Sequence, residues 1–229
     1  MLVRGTCPHV PCHPADVDIC RTQDLSTSPW PEVIAINKSK IVITGAPASG
    51  KTVCLERLRS EPALADSVFL DELARKILRE KPQMRSDKSA FHNIIYKQQT
   101  AREKALGNRS FITDRGTADI FAFHPEAVSE IGTTIAKEHK RYTAVIQLGS
   151  SASLGPDHYV GDNIRRETIE ETLQIEKALR SVWSDHSAYH FIAARSDLGK
   201  KYAALRQLIF MLAGVTDRIN ISTDETSNE

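Results

Sequence analysis

The residues with the clearest chemical meaning are Gly45-Ala46-Pro47-Ala48-Ser49-Gly50-Lys51-Thr52. Glycines bracketing a short loop, followed by lysine and a hydroxyl residue, match the G-x-x-x-x-G-K-[ST] pattern of phosphate-binding loops. Gly45 and Gly50 permit backbone conformations closed to other residues, so the loop can turn its N–H groups onto phosphate oxygens. Lys51 puts a cation within reach of β- and γ-phosphates, and the Thr52 hydroxyl suits the Mg²⁺ shell. The expected nucleotide contacts are Gly45, Ala46, Pro47, Ala48, Ser49, Gly50, Lys51, Thr52 and Val53, the last of these already in the helix that points its positive end at the phosphates.

Other side chains have types that fit chemistry beside such a loop. Asp114 ends the apolar run Phe111-Ile112-Thr113 and can hold Mg²⁺ directly or through water, or else cap a helix. Glu72 follows Val68-Phe69-Leu70-Asp71; it can take a proton from an acceptor hydroxyl, or complement a helix dipole with Asp71 as the cap. Arg165 and Arg166 come after a glycine-containing loop. They read as lid arginines that close on a transferring phosphoryl, or as an exposed helix start paired with Glu167 and Glu170. Arg115 can contact acceptor or phosphate, or pair with Asp119 one helical turn on. Gln98, polar and in phase with Phe91, Ile94, Ile95, Ala101 and Ala105, can read the acceptor or be a satisfied buried amide.

These residues need elements to position them. Short β-branched or aromatic runs at Ile41–Ile43, Ser67–Leu70, Phe111–Thr113, Ala144–Leu148 and Tyr189–Ala193 read as strands. Between them lie helical patterns: after Thr52, from Leu73 to Lys81, from about Lys88 to Leu106, after Gly116, and up to Trp183. A last helix carries Leu198, Tyr202, Leu205, Ile209 and Leu212 on one face. The alternation predicts an α/β fold around a parallel sheet. In such sheets ligands sit outside the carboxyl ends of the strands, where the phosphate loop, Asp71-Glu72 and Asp114-Arg115 all fall.

Residues 1–38, interrupted by Pro8, Pro11, Pro14, Pro29 and Pro31, read as an extended, partly disordered leader; 39–214 as the domain; and 215–229 as a polar tail. The leader's Cys7, Cys12 and Cys20 lie near His9 and His13, but their spacing matches no standard structural zinc pattern. Cys54 reads as a small buried thiol. A net charge of +1 implies no general attraction to nucleic acid or anionic membranes. No apolar run approaches the ~18 residues that span a bilayer, and no secretory signal is evident, so a cytoplasmic location is expected.

Taken together, Ile41–Thr52, Asp71-Glu72-Leu73-Ala74-Arg75 and Asp114-Arg115-Gly116-Thr117-Ala118-Asp119 resemble the small P-loop ATPase/kinase domains of the AAA type. The likeness is close to the nicotinamide-riboside kinase domain and more distant to thymidylate and deoxynucleoside kinases. It implies a three-layer P-loop NTPase sandwich with a five-stranded parallel sheet ordered 2-3-1-4-5, and ATP with Mg²⁺ as cofactors. It also implies an arginine-bearing lid on Arg165 and Arg166, with Asp162 and Arg165 as its Asp–Arg pair. The expected activity is Mg-ATP-dependent phosphotransfer of the nucleoside/nucleotide-kinase type to a small-molecule acceptor. The alternative is a regulatory ATP/GTP-hydrolysing switch that binds a protein partner.

Overall fold

A computed structural model describes residues 38–159 and 167–215, all in one compact unit. The expectations for the leader, for Asp162, Arg165 and Arg166, and for the tail beyond Val215 lie outside the described residues.

The chain runs β1 (Lys40–Thr44), α1 (Lys51–Arg59), β2 (Val68–Leu70), α2 (Leu73–Glu80), α3 (Lys88–Ala105) and β3 (Phe111–Asp114). Three short helices follow, α4 (Asp119–Phe123), α5 (Ala127–Ile131) and α6 (Ile135–His139), where proline at 125 and glycine at 132 prevent one long helix. Then come β4 (Ala144–Leu148), α7 (Ile169–Trp183), β5 (Tyr189–Ile192) and α8 (Leu198–Leu212). The five strands form one sheet in the order β2-β3-β1-β4-β5, with every pairing parallel. Helices cover both faces, which makes a three-layer α/β sandwich.

Strand β1 is central and its Ile41, Val42, Ile43 and Thr44 are fully buried, as a strand covered on both faces requires. Alternate side chains serve opposite layers. Ile41, Ile43, Ile112, Ile146 and Leu148 pack with Leu55 and Leu58 of α1 and Leu205 and Ile209 of α8. Val42, Phe111 and Val145 pack on the other side with Ile120, Phe121, Tyr142, Val182 and Trp183. Trp183 has no exposed surface and stacks on His139 with ring centroids 5.2 Å apart. Cys54 is buried in the first layer.

The helix ends show how the sequence sets boundaries. Thr168 and Glu171 form a reciprocal capping box, so α7 starts at Ile169. Asp197 caps α8 through the N–H groups of Gly199 and Lys200.

Candidate active site

The carboxyl end of β1 turns directly into the loop 45–50, and the tertiary structure aims that loop by tying down its carbonyls. Gly45 O accepts from Lys51 Nζ at 3.0 Å, Ala46 O from Ser49 N at 3.3 Å and Pro47 O from Ser150 Oγ at 2.5 Å. Ala48 O accepts from Ser151 N at 3.1 Å, Ser49 O from Lys201 Nζ at 2.8 Å and Gly50 O from Cys54 N at 3.0 Å. With its carbonyls engaged by protein donors and Ser49 N used within the loop, the remaining N–H groups and the unpartnered Ser49 hydroxyl are left for a ligand, which makes the loop an anion cradle. Gly45 is required for close approach: a Cβ there would lie 2.5 Å from Leu148 O. Gly50 has φ +79°, a conformation costly for other residues.

The cradle opens into a cleft of about 650 Å³ lined by residues 46–53, by Glu72 and Arg115, and by α2 and the turn after it. Lys51 is buried at its floor, and burial, with Arg115 adding, brings its ammonium down to about 8. Thr52 and Val53 are exposed on the first turn of α1 and line the cleft.

Strand β3 delivers Asp114 beside Ile43 of β1. Its side chain is 8 % exposed, and Oδ1 has no hydrogen-bond partner. Burial raises its pKa, Glu72 and Asp119 add to this, and Lys51 and Arg115 oppose it. An orphaned buried carboxylate oxygen next to a phosphate cradle fits a divalent cation, whose positive charge would remove the burial penalty. Among the described residues no group of three or more His, Cys, Asp and Glu is arranged as a metal cage. One carboxylate, one hydroxyl and the nucleotide's own oxygens form the usual Mg²⁺ set.

Glu72 stands at the end of β2, just ahead of α2, and its side chain makes no cap. Asp71 is not the cap either: Glu72 holds the N-cap position of α2, and Asp71 is exposed and pairs with Arg59. Glu72 instead accepts from Arg115 Nε at 3.0 Å and pairs with Arg75 Nε at 3.1 Å. Burial pushes its carboxyl up, but Arg115, Lys51 and Arg75 outweigh that and hold it below the usual range, ionised at neutral pH.

Arg115 pairs with Asp119 at 3.4 Å, as its spacing suggested, and its side chain also lines the cleft. Its φ is +69°, a conformation sparsely allowed for residues other than glycine. The surroundings hold it there: Arg115 N donates to Ile43 O at 3.0 Å and its carbonyl accepts from Thr113 Oγ1 at 2.8 Å. Asp119, 2 % exposed, also accepts from Thr44 Oγ1 and, at 2.7 Å, from Gly116 N.

Gln98 does not fall where the apolar stripe of α3 suggests. It is exposed and does not line the cleft, whereas the neighbouring Gln99 is 4 % exposed. The phase of α3 is set by polar burial: Gln99 donates to Thr113 Oγ1 at 3.0 Å and to Glu103 at 2.6 Å, and Glu103 accepts from Tyr142 and Arg141. That network braces the strand end carrying Asp114 and Arg115. Sequence reasoning also gave no site role to Lys201, Arg79 or Arg85; the last two line the cleft.

A family model described as an AAA domain matches residues 40–201. The chain belongs to the AAA domain family. The matched range spans all five strands and the cleft-lining residues from Ala46 to Glu167. No curated protein matches its sequence. Its fold is similar to that of deoxyadenosine kinase from M. mycoides with products dCMP and a flexible dCDP bound, with TM-score 0.53, 11% identity, and 75% of this chain and 99% of that one covered. The same kinase with bound dATP gives TM-score 0.53 at 12% identity, covering 74% and 98%.

Proposed function

We propose that the protein is an ATP-dependent phosphotransferase of the nucleoside/nucleotide-kinase type that acts on a small-molecule acceptor. One observation carries the reading. An ionised carboxylate, Glu72, is held by Arg115 in the same cleft as a phosphate cradle and its lysine. A nucleotide plug has no use for such a carboxylate; phosphotransfer to a hydroxyl does.

In this reading the loop amides and Lys51 bind the β- and γ-phosphates. Thr52 and Asp114 would hold Mg²⁺, which when bound supplies charge neutralisation on the transferring phosphoryl. Glu72 takes the proton of the acceptor hydroxyl as its oxygen bonds to the γ-phosphorus. The bond from that phosphorus to the β–γ bridging oxygen breaks, and ADP leaves with the electron pair. Arg115 keeps the Glu72 carboxylate aimed at the hydroxyl, and Arg165 and Arg166 serve as lid arginines that meet charge on the phosphoryl. A kinase of similar fold, with dATP or with dCMP and dCDP bound, gives the reading a structural precedent.

The test is ADP release from Mg-ATP with and without pooled nucleosides, nucleoside monophosphates, sugar phosphates and pyridine ribosides, with Lys51→Ala as the blank. An acceptor-dependent, Lys51-dependent rate is expected. Glu72→Gln should lower that rate ~10²- to 10⁴-fold while ATP affinity changes little. Slow hydrolysis indifferent to every pool and to Glu72→Gln sinks the proposal in favour of a nucleotide switch.

A further inference from the structure

The cleft is more basic than a nucleotide alone requires. Five cationic side chains line it, Lys51, Arg75, Arg79, Arg85 and Arg115, against the two carboxylates Glu72 and Glu167, in a chain whose net charge is only +1. Three of the five are engaged: Lys51 with the loop, Arg115 with Glu72 and Asp119, and Arg75 with Glu72. Arg79 and Arg85 have no partner among the described residues. Arg79 follows Arg75 by one helical turn on α2, and Arg85 comes from the tight turn Pro82–Ser86.

The two arginines lie beyond the reacting end of the cleft. Arg79 is two helical turns past Glu72, about 10 Å along the helix axis. Ala74 and Leu78, also one turn apart, line the cleft over the same stretch. The wall therefore presents carboxylate, then apolar surface, then unpaired guanidinium groups. Guanidinium forks match phosphate or carboxylate geometry, and a neutral acceptor leaves them without a use.

We propose that the acceptor carries its own anionic group, a phosphate or carboxylate, which Arg79 and Arg85 bind at the end remote from the hydroxyl that Glu72 activates. This rests on the phosphotransferase reading and narrows it: Ala74 and Leu78 contact the carbon skeleton, and the new phosphoryl is added away from the existing anion.

The test uses the full chain saturated with Mg²⁺ and the non-hydrolysable β–γ imido analogue of ATP, so that the cradle is filled. Inorganic phosphate and, separately, malonate are then titrated in by calorimetry. One of them is expected to bind, phosphate for a phosphomonoester acceptor or malonate for a carboxylated one. The Arg79→Ala/Arg85→Ala variant should weaken it roughly tenfold or more with analogue affinity unchanged. Both arginines are exposed, and unchanged analogue affinity reports an intact fold. Failure of both anions to bind, undiminished binding in the variant, or a loss of analogue affinity in the variant overturns the proposal. Turnover of neutral nucleosides without an anion site leaves the phosphotransferase standing and removes the anionic acceptor. Anion binding without Lys51-dependent turnover of any acceptor removes the phosphotransferase reading, and this assignment with it. A product carrying a new phosphoanhydride instead of a second phosphate ester places the anion at the reacting end and overturns the remote assignment.

Discussion

Lys51 and Glu72 show how the cleft tunes its charged groups. Lys51 sits at about 8 because burial penalises its charge and Arg115 repels it. Nucleotide phosphates supply the missing counter-charge, so the bound form holds the proton at pH values where the free form has lost it. Binding strength is therefore fully present below about 8 and falls as pH rises through it, by at most about tenfold per pH unit. ATP affinity measured from pH 7 to 10 should show that break, and Lys51→Arg, which keeps its charge, should lack it. A flat profile for both proteins rejects the argument. Glu72 behaves in the opposite sense: its partners keep it ionised, the state a base needs, so no loss of the carboxylate form is expected near neutral pH.

At the level of elements, the phosphate loop is held from behind by a helix far away in the chain. Lys201 of α8 is 3 % exposed and donates to Ser49 O at 2.8 Å and to Gly149 O at 2.5 Å, joining the loop to the end of β4. It touches no ligand site directly and acts by positioning the loop. Lys201→Met keeps most of the stem's packing but strands two buried carbonyls, at about 1–3 kcal/mol each. The expected result is a lower melting temperature and a raised KM for ATP with a smaller change in kcat. An unchanged KM at reduced stability would make Lys201 structural only. The helix phases taught a related lesson. The apolar residues of α3 suggested one face, but His92, Gln99 and Glu103 are its buried positions, because a hydrogen-bonded polar cluster packs there as firmly as an apolar stripe.

For the molecule as a whole, the loop is the place where β1, β4, α1 and α8 meet, so a ligand there should stabilise the entire unit. Nucleotide at a hundred times its dissociation constant adds about 2.7 kcal/mol, or roughly 5–10 °C in melting temperature for a chain of this size. Lys51→Ala should abolish most of that shift, which a thermal melt with Mg-ATP will show. Much of this architecture was legible in the residues alone. The loop was readable because phosphate binding is a property of one contiguous backbone stretch, and the alternation of strand and helix patterns set an α/β class because periods of 2.0 and 3.6 are local signals. What only the tertiary structure decided are the pairings between distant segments. The sheet order β2-β3-β1-β4-β5, which strand and helix patterns left open and only the family resemblance implied, places the ends of β2 and β3 side by side and joins Glu72 to Arg115 across 43 residues. It also sets Lys201 under a loop 152 residues away. Sequence spacing carries no record of such contacts, since they depend on which strands become neighbours and on which face each helix buries.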